Sequence, residues 1–259
     1  MHEAEIKRAL KENKVVLGSF VSEIWAPTIA WMYATAGFDF MFIDMEHGSF
    51  NMETAASMIL ASRAVGIAPV VRAPSNDRPS LMRPLDAGAA GLLVPMVETR
   101  AYAEQVVRYA KYPPTGQRGL ALRRAHSYYR ALQAGPYLRR ANDETLIIAQ
   151  IETQTSVDNL NEILSVGGID VAFIGPADLS TSMGYPGQAS HPEVIAAIER
   201  VMEISKRYGV SPGIHVTDVE SAGDWAKRGM RFISYSGDVG FIVDTASKDL
   251  ARIRAKIQP

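Results

Sequence analysis

Carboxylates, an arginine and a histidine stand at the ends of short apolar runs in this sequence, and together they describe proton transfer beside a carbonyl. Glu152 follows TLIIAQI and Asp178 follows DVAFIGPA. Two such carboxylates suit a hard divalent cation that keeps positions for water and a bidentate oxygen substrate, as Mg²⁺ or Mn²⁺ does. Arg72 closes the run APVVR; a guanidinium keeps its charge and suits a carboxylate or a developing oxyanion. Gly175 and Pro176, just ahead of Ala177 and Asp178, let backbone N–H groups approach an anion closely. His47 is the natural general base near neutral pH, and Asp44, three residues earlier, is placed to orient its ring and raise its basicity. This set fits aldol or enolate chemistry, the cation and Arg72 holding the enolate.

Eight β-branched-rich runs have to position these groups: VVLGSFV from Val15, FDFMFIDME from Phe38, APVVRA from Ala68, GLLVPMV from Gly91, TLIIAQIE from Thr145, DVAFIGPADL from Asp170, SPGIHV from Ser211 and RFISYSG from Arg231. Amphipathic stretches separate them, with Asn51 and Asp77 as N-caps and Gly37, Gly66, Gly88 and Gly209 at helix ends. Eight βα repeats in about 250 residues predict one parallel (β/α)₈ barrel spanning residues 1–259 as a single domain. In that fold the active site gathers at the C-terminal ends of the strands. The runs end there in Asp44, Glu46 and His47; Arg72; Gln150 and Glu152; Asp178; His215; and Ser236 and Asp238. Each alone has a structural explanation, since strand-end carboxylates cap helices, Arg72 can pair with one of them, and a lone histidine is commonly structural. Their collection at one face, while FMFI and LLVP stay apolar, favours a catalytic site.

The connection 112–144 breaks the rhythm and carries Arg118, Arg123, Arg124, Arg130, Arg139 and Arg140. It reads either as a solvated helical hairpin or as a lid or oligomer contact. The 259 residues carry 27 Lys+Arg against 28 Asp+Glu, a formal charge of −1, and 8% aromatics, so neither nucleic acid nor a membrane surface is an expected partner. The absence of cysteine removes disulfides, thiolate nucleophiles and Cys-ligated metals. No Gly-rich nucleotide-binding fingerprint follows any run, and no organic cofactor is expected. The charged N-terminus MHEAEIKRALKENK has no apolar signal core behind it, which makes the cytoplasm the expected location.

GFDFMFIDMEHG, PVVRAPSND, LLVPMVET, YPPTGQRG, QIET and FIGPADLSTSMGYPG followed by HPEV occur in order along nearly the whole chain. In these motifs the sequence resembles the HpcH/HpaI aldolase family, the metal-dependent class II pyruvate aldolases. The resemblance implies that Glu152 and Asp178 bind the divalent metal (Mg²⁺, Mn²⁺ or Co²⁺), that Arg72 stabilises the enolate, and that His47 is the acid/base. It implies further that Gln150 and Ala177 contact the pyruvoyl group and that Asp86, in RPLDAGA, raises the basicity of the histidine. Asp86 falls at the far end of a predicted helix, so that last role requires a neighbouring subunit or a further detail of the fold, the alternative being an ordinary helix-end polar residue. The resemblance also implies a homo-oligomer, a hexamer built as a trimer of dimers with exchanged C-terminal helices, and a place for the YPPTGQRG loop near a neighbouring active site. Two residues depart from the common pattern, Phe20 in LGSF and His215 in GIHV. Both are expected to line the pocket for the aldehyde, whose identity stays open.

The expected reaction is reversible retro-aldol cleavage of a 4-hydroxy-2-oxo acid to pyruvate and an aldehyde such as succinic semialdehyde. A Schiff-base aldolase would need a strand-borne lysine, and none of Lys7, Lys11, Lys14, Lys111, Lys206, Lys227, Lys248 and Lys256 falls in a predicted strand. A related barrel lyase acting on malyl- or citryl-CoA thioesters, and a non-catalytic 2-oxo-acid-binding protein, are the alternatives.

Overall fold

Alternation of period two within the apolar runs decides which side chains fill the barrel and which face the helices. The computed structural model describes residues 3–257. Its strands are β1 (Val16–Val21), β2 (Phe40–Asp44), β3 (Ala68–Arg72), β4 (Gly91–Val94), β5 (Leu146–Ile151), β6 (Val171–Ile174), β7 (Ser211–Val216) and β8 (Phe232–Gly237). They pair in parallel in sequence order and close on themselves, β1 against β8, as a single (β/α)₈ barrel. Helix α1 (Glu3–Lys11) precedes β1, and α2 (Ile29–Ala36), α3 (Met52–Val65), α4 (Arg78–Asp86) and α5 (Arg100–Ala110) follow β1 to β4 in turn. Next come α6 (Ala134–Glu144), leading into β5, then α7 (Gln154–Asp158) and α8 (Leu160–Leu164), leading into β6. The set ends with α9 (Pro176–Ser182), α10 (Pro192–Arg207), α11 (Val219–Arg228) and the long α12 (Asp238–Ile257). Among the described residues no helix is long and apolar enough to cross a membrane.

Phe40, Phe42, Val70, Leu93, Ile148, Phe173 and Phe232 form one buried cluster inside the barrel, and Ile6, Ala9 and Leu10 of α1 join it, closing the N-terminal end. The rings of Phe40 and Phe232 stack with centroids 4.1 Å apart. Their neighbours Met41, Ile43, Val71, Ile147 and Ile233 point the other way and pack in the larger cluster under the helices. Asn51 and Asp77 cap α3 and α4 as the sequence predicts, accepting the N–H groups of Thr54 and Ser80 at 2.9 and 3.0 Å. Gly37 and Gly66 end α2 and α3 in the left-handed conformation, at φ 93° and 78°, where a side chain would be strained.

The connection 112–144 is not a solvated helical hairpin. It holds one 3₁₀ turn (Ala125–Ser127) and one helix, α6, and Arg118 is 4% exposed and ion-paired. Its other five arginines are exposed, as the hairpin reading expected of all six.

Candidate active site

The alternation that fills the barrel with phenylalanine also builds the site one layer higher. Each inward position is followed two residues on by another, so Phe42 leads to Asp44, Val70 to Arg72, Ile148 to Gln150, Phe173 to Gly175, and Gly213 to His215. Strand register then sets Asp44 beside Arg72. The pair is bidentate: Arg72 Nε donates to Asp44 Oδ1 at 2.8 Å and Nη2 to Oδ2 at 2.6 Å, with both side chains largely buried. Glu46 Oε2 lies 3.4 Å from Arg72 Nη1. The plane of the guanidinium is held from another side by the Phe20 ring, 4.8 Å from Cζ.

Asp44 therefore does not have the role expected of it. Its carboxylate is committed to Arg72 and to the N–H groups of Glu46 and His47, at 3.0 and 3.2 Å, and the carboxylate near the His47 ring is that of Glu46, 3.8 Å from Nε2. Burial pushes the Asp44 carboxyl up, but the Arg72 hydrogen bonds and charge and the two N–H groups outweigh it and hold it below the ordinary range. Burial lifts the Glu46 carboxyl, with Asp44 and Asp178 adding to the lift against Arg72 and His47. His47 itself is exposed, in the bend between β2 and α3.

Glu152, one residue past β5, is buried. Its carboxylate accepts the Met96 N–H at 2.8 Å and the Gln150 side-chain amide. Met96 takes a left-handed conformation, φ 53°, to aim that N–H. Burial raises the Glu152 carboxyl above its ordinary range, opposed by those two hydrogen bonds and reinforced by Asp178 and Glu46. Asp178 is exposed in the first turn of α9, whose leading N–H groups have no helical carbonyl partner.

Among the described residues no three His, Cys, Asp or Glu side chains gather as a ready metal cage. The residues present nevertheless fit a hard cation completed by substrate and water oxygens. Asp178 is close enough to raise the proton affinity of both Glu152 and Glu46, and Gln150 Oε1 is buried with no partner. A Cβ on Gly175 would come within 3.0 Å of Glu152 Oε2, so the glycine keeps that space open. Gln150, Gly175 and Asp178 line a cavity of about 340 Å³ at the barrel mouth.

Arg72, Asp44, Gln150, Gly175, Pro176, Ala177, Asp178, His215 and Phe20 all line this cavity, whereas Glu152 and His47 are not among its lining residues. Two other candidate carboxylates are engaged elsewhere. Asp238 is structural, binding the N–H groups of Ser22, Glu23 and Ile24 at 3.1, 2.9 and 2.7 Å. Asp86 lies at the end of α4 on the opposite face, paired with Arg118 at 2.7 Å, so within one chain it does not meet His47. Residues that the sequence reading left without a role are Glu46, the Met96 N–H and Tyr102, whose phenol donates to the Pro95 carbonyl at 3.1 Å. Burial, with Glu46 and Glu152 adding to it, pushes that phenol up to about 12. The buried lysine of the chain, Lys111, binds the Asn142 and Thr145 carbonyls below the barrel, far from any Schiff-base role.

The model of the HpcH/HpaI aldolase/citrate lyase family matches residues 20–245. The 4-hydroxy-2-oxo-heptane-1,7-dioate aldolase of Escherichia coli is 38% identical over 256 residues, which are 98% of this chain and 96% of that one. Among solved structures, an HpcH/HpaI aldolase from Desulfitobacterium hafniense DCB-2 superposes with a TM-score of 0.93 at 32% identity, covering 98% of this chain and 97% of its own. The citrate synthase SbnG does so with a TM-score of 0.88 at 30% identity, covering 96% and 97%.

Proposed function

Because the chain belongs to the HpcH/HpaI aldolase/citrate lyase family, we propose that it is a divalent-metal-dependent aldolase cleaving 4-hydroxy-2-oxo acids reversibly to pyruvate and an aldehyde. The observation that carries this reading is the meeting of Glu152 and Asp178 with a guanidinium immobilised by Asp44 at one barrel mouth. Glu152 and Asp178 would hold a divalent cation, which would supply Lewis-acid polarisation of the 2-oxo group. Arg72 faces the oxygen that becomes the enolate oxyanion, fixed in advance by Asp44, Glu46 and Phe20, so no reorganisation is needed as charge develops. Gln150 and the open backbone at Gly175, Pro176 and Ala177 seat the pyruvoyl carboxylate. The 4-hydroxyl gives up its proton to His47, the C3–C4 bond breaks with its electrons passing to C3, the aldehyde leaves, and C3 is reprotonated to give pyruvate.

The expected homo-oligomer, a hexamer with exchanged C-terminal helices, is part of the same proposal. Val239, Ile242, Val243, Leu250, Ile253 and Ile257 form an exposed apolar stripe along α12 at helical spacing, a face that another subunit would cover. Such an assembly also gives Asp86 its only route to a His47. A cytoplasmic setting belongs to the proposal as well.

Pyruvate release from a panel of 4-hydroxy-2-oxo acids, followed by lactate dehydrogenase coupling, tests the reading. Chelator-treated enzyme is expected to be inert and to recover with Mg²⁺, Mn²⁺ or Co²⁺. No cleavage with any metal, together with turnover of a malyl- or citryl-CoA thioester, would replace it with the CoA-lyase reading. Pyruvate binding with no turnover of either class would leave a binding protein.

A further inference from the structure

Two cavities open side by side at the C-terminal mouth. The first, of about 340 Å³, is the one holding Arg72, Gln150 and Asp178. The second, of about 430 Å³, lies beside β7 under the loops that follow β6 and β7, with Ile195, Ile198, Ile214 and Trp225 as its apolar wall. Pro176, Ala177, His215 and Thr217 line both, so they form the partition between them. A substrate whose pyruvoyl end occupies the first cavity extends its aldehyde-derived part along this partition.

The charges around that path are one-sided. Among the described residues lining either cavity, Arg72 is the only arginine or lysine, and Asp44 and Glu46 already hold it. Asp178, Asp218 and Asp244 face the same space. With Asp178 committed to the divalent cation, Asp218 and Asp244 remain along the path, and no lysine or second arginine among the lining residues would pair a terminal carboxylate there, an unfavourable arrangement in a confined, partly desolvated site. Hydroxyl groups would find partners instead, in His215, Thr217, Ser190 and Ser236.

His215 is built to serve as the reader. Register pairs it with Ser234, whose Oγ lies 3.2 Å from Nδ1, and the ring stands edge-on to Phe20 with centroids 5.2 Å apart. This fixes the ring and leaves Nε2 for a group in the cavities. Burial, with Arg72 adding to it, holds the imidazole down to about 4, so it meets the substrate uncharged. A neutral imidazole hydrogen-bonds a hydroxyl and supplies no countercharge for a carboxylate.

We propose that the aldehyde partner of this chain is an uncharged hydroxyaldehyde, selected by hydrogen bonding to His215, and not a semialdehyde bearing a terminal carboxylate. The proposal rests on the pyruvate-aldolase reading and departs from the acceptor implied by the heptanedioate named for the Escherichia coli relative.

The test uses the metal-replete full-length protein in the synthetic direction. Deuterium exchange into the pyruvate methyl group, read by NMR without any aldehyde, first establishes that the enolate forms. Values of kcat/KM are then measured for addition of pyruvate to glyceraldehyde and to succinic semialdehyde. Glyceraldehyde is expected to be favoured by about tenfold or more, the scale of one discriminating polar contact. His215→Leu is expected to reduce that preference to the part set by the aspartates, and His215→Asn, which keeps an uncharged hydrogen-bonding group, to retain it in full. Equal or better use of succinic semialdehyde by the unmodified enzyme, or an unchanged preference in His215→Leu, overturns the acceptor assignment while leaving the aldolase reading intact. Absence of methyl exchange overturns both.

Discussion

Replacing Asp44 with asparagine tests whether Arg72 is fixed by its carboxylate pair or merely rests there. The substitution preserves shape and the acceptor for the Glu46 and His47 N–H groups, but it removes the charge and turns an amide N–H₂ toward the guanidinium. Arg72 is 11% exposed and Asp44 3%, so water from the cavity replaces only part of the lost interaction. Leaving one member of a buried pair uncompensated costs about 3–5 kcal/mol. Glu46, 3.4 Å from Nη1, still offers partial compensation and places the expected loss near the lower end. For a chain of this size a loss of about 3 kcal/mol lowers Tm by roughly 6–12 °C. Cutting the anchor also lets the guanidinium wander, and a shift of about 1 Å at a reacting group can cost about 100-fold in turnover.

The decisive assay is a double-mutant cycle on stability with Asp44→Asn, Arg72→Met and the two combined. Removing both charges eliminates the uncompensated partner, so the double variant is expected to be no less stable than either single one. Losses that simply add would refute the pairing argument. The pH dependence supplies a second check. Asp44 titrates below the ordinary carboxylate range when folded, so its contribution is complete above that range and disappears as pH falls through the folded value. The gap between wild type and Asp44→Asn should therefore close in acid.

Glu152 carries the opposite shift, its folded carboxyl raised by burial and by neighbouring carboxylates, so its ionisation destabilises the fold as pH rises through that value and a cation relieves it. Mg²⁺ or Mn²⁺ should raise Tm more at pH 8 than at pH 5, and Glu152→Gln should abolish the difference, read by differential scanning fluorimetry. Gly175→Ala puts a methyl group 3.0 Å from Glu152 Oε2 and should weaken metal activation at least tenfold while circular dichroism stays unchanged. Ile242→Asp with Ile253→Asp, on the exposed stripe of α12, should lower the oligomeric mass seen by light scattering. An unchanged mass would remove α12 from the interface.

The barrel was legible because two periods coexist in the sequence, two in the runs and near 3.6 between them, and because Asn51, Asp77, Gly37 and Gly66 punctuate the helices in the expected way. The cavity lining was legible for the same reason, since the barrel rule converts strand ends into neighbours. What stayed hidden is which neighbour each side chain chooses. Asp44 sits three residues from His47 along the chain but opposite Arg72 across the sheet, and the lateral register wins because it delivers two charge-assisted bonds. Asp238 resembles a catalytic carboxylate by position and is consumed by three N–H groups of a loop some 215 residues away in sequence. The Met96 contact left no trace because a backbone N–H has no sequence signature.

The phenylalanine layer and α1 seal the barrel from below. The cavity that Gln150, His215 and Thr217 line is thus a well closed at its base; under the aldolase reading pyruvate would lie against Gln150 and the aldehyde half beyond it. Molecules in such a well must pass in sequence: the aldehyde half, lying above, departs before pyruvate can, and in synthesis pyruvate must be seated before the aldehyde arrives. Steady-state kinetics should accordingly show pyruvate as a competitive product inhibitor of cleavage and the aldehyde as a noncompetitive one.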